Sequence, residues 1–421
     1  MDLAWSQAIL CILLPPVCIY VFFVQLHWKS WKYLSSGRDM MMAMADQCGD
    51  AAFSVPIPGN RLHLFTSKRH WDELNSTSLD VLSNHAWSKD MLQPKAAFGY
   101  DWSDRRNEEG MPIVRAIRTI SNQFSILRPE CVRILEQDFN QAMESNPSGK
   151  NAIGRVPLWP TIQFSLARIT TLMICGEDVA NDPEFMERSV KFLDEAGKVA
   201  EATKILPSFI SPVVKMLIQG RNLNRDYVYA TIANKTEEFR RAKAASEDTK
   251  ELPKTILNAF METVPDDWPT TRVVHIVNTL WYSASQGITV LAAHLIQDIY
   301  THESHIRDLQ QECRGVLDDA DSDMSKLPLL EAFLMESMRT KCFQSTTIHR
   351  VALGKPYTFS DGYSVPAGEI LSFLQHKVYS DDTLYAEARN FHPARFQGSG
   401  RAATDMPGME WAFWGNSKLA W

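Results

Sequence analysis

The chain lacks most of the marks that sort a protein quickly. No Cys-x-x-Cys spacing occurs: its seven cysteines (Cys11, Cys18, Cys48, Cys131, Cys175, Cys313, Cys342) are scattered. That pattern argues against a disulfide scaffold or a zinc site and suits a reducing compartment. There is no basic stripe and no patch of interleaved aromatics and cations, and the net charge is -7. With a pI near 5.9, this argues against nucleic acid as a partner. No linker divides the 421 residues. One large domain behind a short N-terminal segment is therefore expected, where length alone suggests about two or three.

Long uncharged apolar runs are also scarce. The single strong one is Ala8 to Leu26, about the length that a bilayer core of roughly 30 Å asks of a helix. Lys29, Lys32 and Arg38 follow it and only Asp2 precedes it, so the positive-inside rule puts the body in the cytoplasm. A basic start and a small-residue cleavage site are missing, which argues against a cleaved leader. Pro15-Pro16 kinks the run, as membrane spans tolerate. The expected plan is a membrane anchor over 1–28 and a folded body over 29–421.

Helical periodicity dominates what is present. Thr271 to Tyr300 is the longest pattern, with Val273, Val277, Leu280, Ala284, Ile288, Leu291, Leu295 and Ile299 at spacings of three or four. Being apolar almost all round, it is expected to be buried in a large protein. Other helices are expected at Ile113–Ile126, through Trp159–Lys243 and over His302–Cys313, where His302 and His305 read as solvated surface side chains. Phe53 to Phe65 alternates on both sides of Pro58-Gly59-Asn60 and reads as a hairpin. Thr346 to Ala352 reads as a strand, and Tyr363 to Leu371 as a turn between strands built on Pro366 and Gly368.

Glu336 and Arg339 are three apart on a helix with an apolar side (Leu330, Phe333, Leu334, Met338) and with Pro328 in its first turn. Alone, such a pair is an exposed ion pair worth a few tenths of a kcal/mol. Here it is followed by Phe391-His392-Pro393-Ala394-Arg395-Phe396 and then by Trp411-Ala412-Phe413-Trp414-Gly415-Asn416-Ser417-Lys418-Leu419-Ala420-Trp421. In this order and at these separations the three segments resemble the C-terminal core of the cytochromes P-450, the haem-thiolate monooxygenases. The ending resembles filamentous-fungal members most.

The resemblance implies a mainly α (α+β) fold with small β-sheets, anchored as a single pass in the endoplasmic reticulum membrane with its body cytoplasmic. It implies a haem b cofactor and electrons from an NADPH-cytochrome reductase. The reaction implied is insertion of one oxygen atom from O2 into a small lipophilic substrate, a terpenoid or polyketide intermediate. By the same likeness Glu336, Arg339 and Arg395 form a buried scaffold under the haem loop, and Arg350, Trp414 and a basic residue of the Ile113 helix (Arg115 or Arg118) meet the haem. In the central helix Gln286 falls nearest the family's acid and Thr289 lies two residues past its alcohol, where Gly287 stands. Glutamine cannot act as a general acid but can hold a water; Gly287 either lets the helix open or packs closely.

The family's third segment runs on into the axial cysteine, and Trp421 stands at that position. An indole offers no lone pair to iron. The expectation is a chain truncated at the haem-ligand loop, without the last helix and sheet. A non-catalytic remnant and a membrane-anchored binding protein are the two alternatives.

Overall fold

The computed structural model describes residues 28–102, 104, 112–121, 124–145, 155–206, 210–245, 254–317, 327–342, 344–405 and 408–415. It is mainly helical. Strands β1 (Phe53–Ile57), β2 (Asn60–Phe65), β3 (Leu82–Ser83), β4 (Thr347–Ala352) and β7 (Ile370–Phe373) make a five-stranded sheet in the order β1-β2-β7-β4-β3. A second pair, β5 (Tyr357–Thr358) and β6 (Ser364–Val365), is a separate hairpin.

The expected first hairpin forms, with Ile57 opposite Asn60. The two-residue turn between them works because Gly59 takes a φ of +75° that a side chain resists. β2 then runs parallel to β7, pairing Leu62 with Ile370 and Phe65 with Phe373, so the sheet joins the two ends of the described chain. The strand expected at Thr346–Ala352 is interrupted. Its register against β7 shifts between Thr347 and Arg350, and Ile348 sits at φ +53°. A β-branched residue in that region is held there at a cost of about 1–3 kcal/mol.

The helices follow the sequence period with instructive departures. The run from Ile113 to Ile126 is split between helices Pro112–Ser121 and Phe124–Ser145. Gly176, at φ +105°, ends the helix Leu158–Cys175 where apolar periodicity gave no warning. The next long helix, Pro183–Ile205, starts at Asp182, whose side chain accepts the Glu184 amide proton as an N-cap. The central helix runs Thr270–Thr301, and a short 3-10 turn separates it from Ile306–Leu317. His302 and His305 are ring-packed rather than freely solvated: His302 stacks on Phe391 at 4.3 Å, and His305 meets Phe333 edge-on at 5.3 Å.

Among the described residues no helix is long and apolar enough to cross a membrane. This corrects the expected single-pass placement in the endoplasmic reticulum membrane. The long central helix carries Arg272, His275, Asn278, His294 and Asp298 and finds its apolar partners within the protein. The Ala8–Leu26 run lies outside the described residues.

Two packing regions position the site. The first half of the central helix (Val273, Val277, Trp281, Tyr282) is embedded in a helical core with Phe98, Phe185, Phe192 and Phe260. The C-terminal segments make another cluster, in which Met335, Met338, Tyr379, Phe396, Trp411 and Phe413 pack together. Leu291 of the central helix touches that second cluster.

Candidate functional site

The helix Pro328–Thr340 brings the first two scaffold residues inward. Glu336 and Arg339 are both buried, and Arg339 Nε and Nη2 donate to the Glu336 carboxylate at 2.8 and 2.7 Å. The other Arg339 donors reach backbone carbonyls, at Tyr379 (2.7 Å), Ala388 (2.6 Å) and Asn390 (3.2 Å). Glu336 fills its remaining lone pairs from the His392 amide at 2.7 Å and from Arg395 Nε at 3.2 Å. One carboxylate thus holds two guanidinium groups and the backbone of the His392–Arg395 turn, which satisfies the geometry a buried ion pair needs.

That clasp seats the aromatic loop. Glu331, one turn earlier on the same helix, accepts the Ala403 amide proton at 3.1 Å. The Ala403 carbonyl in turn accepts the Trp414 indole N–H at 2.8 Å. Trp414 meets Phe413 edge-on at 5.0 Å. The loop is described as far as Gly415, so Trp421 lies outside the described residues.

Beside this cluster the central helix loses its cover. Ile288 is 48% exposed, and a Cβ placed on Gly287 would meet nothing within 4 Å. Leu291, Ala292, Ala293 and Leu295 are only half-buried, although the sequence makes this helix apolar all round. Apolar side chains that protein leaves uncovered at the centre of a large domain outline room for an apolar ligand. Thr289 is fully buried, and its hydroxyl donates to the Ser285 carbonyl at 2.7 Å. Gln286, the neighbour of Gly287 in the helix, is half-buried.

Arg350 follows the Ile348 bulge and is 3% exposed. Its Nη1 donates to the His349 carbonyl at 2.8 Å, and among the described residues no carboxylate forms an ion pair with it. Burial alone pushes its pKa down to about 10. A buried guanidinium without a counter-charge is costly, so an anionic group brought in from outside the chain would be held strongly there. Arg118 and Arg115 are exposed on the Pro112–Ser121 helix, which packs against Ile256–Thr263.

A large flat group with apolar faces and carboxylate substituents fits these features. The uncovered helix around Gly287 and Ile288 suits an apolar face, and the buried Arg350 suits a carboxylate. A thiolate donor is a different matter. Among the described cysteines, Cys175 and Cys342 are buried thiols whose pKa is pushed up to about 12, and burial raises Cys131 and Cys313 as well. Burial in apolar surroundings keeps such thiols protonated and inert. No group of His, Cys, Asp and Glu among the described residues is arranged to hold a metal ion.

Fold and site together define a mainly helical domain with a carboxylate-centred double-arginine clasp, a central helix uncovered at its middle and a buried arginine that pairs with no described carboxylate. A family model described as cytochrome P450 matches residues 148–405, over half of the chain. The chain belongs to the cytochrome P450 family. Curated relatives are fungal cytochrome P450 monooxygenases. The chain is 23% identical to terQ of Tolypocladium album over 59% of its own length and 45% of that protein. It is 22% identical to sirB of Leptosphaeria maculans over 79% of its length and 64% of the relative. It thus spans between roughly half and two-thirds of the length of these proteins. Among solved structures, the retinoic acid-bound cyanobacterial CYP120A1 superposes with a TM-score of 0.65 at 15% identity, covering 91% of this chain and 82% of that one. That likeness concerns the fold.

Sequence reasoning missed two features near the site. Asp298, buried in the central helix, accepts from Ser337 Oγ at 2.6 Å and pairs with Lys341 at 2.8 Å, tying the central helix to the clasp helix. The lone acid of the central helix was the available signal. His349 lies flat on Trp87, with ring centroids 4.0 Å apart and planes 5° from parallel. Nothing in the sequence pairs residues so far apart.

Proposed function

We propose that this chain binds haem b between the central helix and the Trp411–Gly415 loop, and serves a monooxygenase that hydroxylates a small lipophilic substrate. A terpenoid or polyketide intermediate of secondary metabolism is the substrate class in mind, and an NADPH-cytochrome reductase is the electron donor. When bound, the haem supplies the activation of O2. The chain's own residues do the rest. Arg350 neutralises a propionate. The Glu336–Arg339–Arg395 clasp fixes the loop that carries Trp414. Gln286 orients a water at the gap, and Thr289 offers its hydroxyl oxygen as an acceptor while its O–H donates to the Ser285 carbonyl. The observation that carries the reading is Arg350, a buried cation for which the described chain provides no anion.

A second reading, a lipophile-binding protein without redox chemistry, rests on a specific observation. Burial raises the thiol pKa of Cys131, Cys175, Cys313 and Cys342, and position 421 is Trp. Titrating the purified chain with haemin and recording the carbon-monoxide difference spectrum after reduction separates the two. Stoichiometric uptake with a thiolate-type band, weakened about tenfold in haemin affinity by Arg350→Gln, is the result expected of the enzyme; that factor corresponds to about 1.4 kcal/mol. Uptake without that band, or no uptake, removes the monooxygenase reading.

A further inference from the structure

The helix Lys68–Ser76 begins with a hydroxyl and an imidazole on one face. Ser67 is its N-cap and His70 lies in its first turn, so the two side chains meet. Ser67 Oγ sits 2.6 Å from His70 Nδ1. On the other side of the ring, His70 Nε2 is 2.9 Å from Asp361 Oδ2. Asp361 comes from the turn between β5 and β6, where Gly362 takes a φ of +91°. Glu73 fastens that turn to the helix by accepting the Ser360 amide proton at 2.9 Å, and Phe359 packs edge-on against the His70 ring at 4.8 Å.

The order of these partners sets the protons. The Tyr363 amide above all, with His70 and Arg69 adding to it, holds the Asp361 carboxyl below the usual carboxylate range. An ionised carboxylate only accepts, so Nε2 carries the imidazole proton and Nδ1 keeps its lone pair for the Ser67 O–H. A hydroxyl that donates to a neutral imidazole held from behind by a carboxylate is the arrangement that turns serine into a nucleophile.

The surroundings suit that chemistry. His70 is fully buried, whereas Ser67 is half-buried and borders a cleft of about 710 Å³. Val378, Leu384 and Met409 give the cleft apolar surface, and Lys377, Asp46 and Asp50 bring charge of both signs. Lining of both kinds matches a small neutral ester, which has a polar carbonyl and an apolar tail. The start of the helix supplies the last part. The His70 amide donates to Ser67 Oγ at 3.5 Å and the Trp71 amide to the Ser67 carbonyl at 3.1 Å. The Lys68 and Arg69 amides have no partner among the described residues. They lie at the positive end of the helix dipole, where negative charge developing on a carbonyl oxygen is stabilised.

We propose that Ser67, His70 and Asp361 form a second catalytic site, which hydrolyses small neutral carboxylic esters bound in the adjoining cleft. Ser67 Oγ bonds to the ester carbonyl carbon while its proton passes to His70 Nδ1. The bond from that carbon to the alkoxy oxygen then breaks, and the leaving alkoxide takes the proton from His70. Water, giving a proton to the same nitrogen, attacks the acyl carbon; the acid departs and the proton returns to Ser67. No haem, oxidant or reductant takes part, so the site stands apart from the oxygen chemistry proposed above.

The purified chain is treated with a fluorophosphonate, which labels activated serines, and the modified peptide is mapped by mass spectrometry. Hydrolysis of p-nitrophenyl butyrate is followed in parallel. Label on Ser67 of the native chain is expected, together with ester turnover, and neither after heat denaturation. Ser67→Asn keeps a helix-capping side chain without the hydroxyl. It should hold the melting temperature of the parent and lose both the label at this peptide and the turnover. Asp361→Asn should slow labelling of Ser67 at least about a hundredfold, the scale of a lost acid–base arrangement. Labelling at the parent rate in that variant would show a serine that is merely accessible and would overturn the triad. Label confined to other residues, or turnover that survives Ser67→Asn, overturns the site. Haemin uptake, whichever way it falls, leaves these outcomes as they stand.

Discussion

Glu336 concentrates more of the site's energy than any other side chain described. It is fully buried and is the only carboxylate shared by Arg339 and Arg395 among the described residues. Removing one partner of a buried ionic network leaves uncompensated charge, at about 3–5 kcal/mol. Glu336→Gln should therefore lower unfolding free energy by roughly that amount, read from urea denaturation. A loss below about 1 kcal/mol would mean that the clasp behaves as a surface pair. Two half-buried histidines set a pH dependence. Burial depresses His349 to about 3 and His376 to about 4, both below their unfolded value near 6.5. The unfolded chain then binds more protons than the folded one below that value, so their contribution to stability is whole above pH 6.5 and declines toward pH 4. Melting temperature should fall across that window, and His349→Phe should flatten part of the fall. At this scale the sequence made Glu336 and Arg339 neighbours on one helical face. Burial, the carbonyls around Arg339 and the lack of a described carboxylate paired with Arg350 were not visible, because each depends on residues far away in the chain.

The central helix shows what an element adds to its residues. Its period was legible from end to end, and its boundaries fall within one residue of the expected Thr271–Tyr300. Its environment was not legible: the first half is packed, and the second lines open space around Gly287. Glycine inside a helix costs about 0.5–1 kcal/mol relative to alanine. Since a Cβ at 287 meets nothing, Gly287→Ala should stabilise the cofactor-free chain by that amount. If the space is where haem lies, the same change should weaken haemin binding. A variant both more stable and equally good at taking up haemin would show that the gap has another use. The strand Thr347–Ala352 makes the complementary point. Alternation revealed it, while the bulge at Ile348 came from pairing with β7 and left no local mark.

Across the whole molecule, the sheet is the part least contained in any one stretch. β1, β2 and β3 come from the N-terminal side and β4 and β7 from the C-terminal side, and Leu64 and Leu371 are fully buried in it. Leu64→Ala should cost about 2–5 kcal/mol and speed amide hydrogen exchange in β7 and β4 together with β2, as expected of one cooperative unit. Acceleration confined to β1 and β2 would show that the two ends open separately. The family likeness was carried by three short C-terminal segments, whereas the described chain gave no support to a membrane-crossing helix.

The sequence by itself determined which stretches became helix or strand and which side of the clasp helix carried Glu336 and Arg339. Backbone periods of 3.6 and 2 residues need no knowledge of distant neighbours. Only the tertiary structure decided that Arg339 also reaches the Tyr379, Ala388 and Asn390 carbonyls, that Arg350 is buried with no described carboxylate paired to it, and that His349 stacks on Trp87. Each of these is a contact between parts of the chain that periodicity treats as unrelated, and its energy is set by how much water the closed fold excludes.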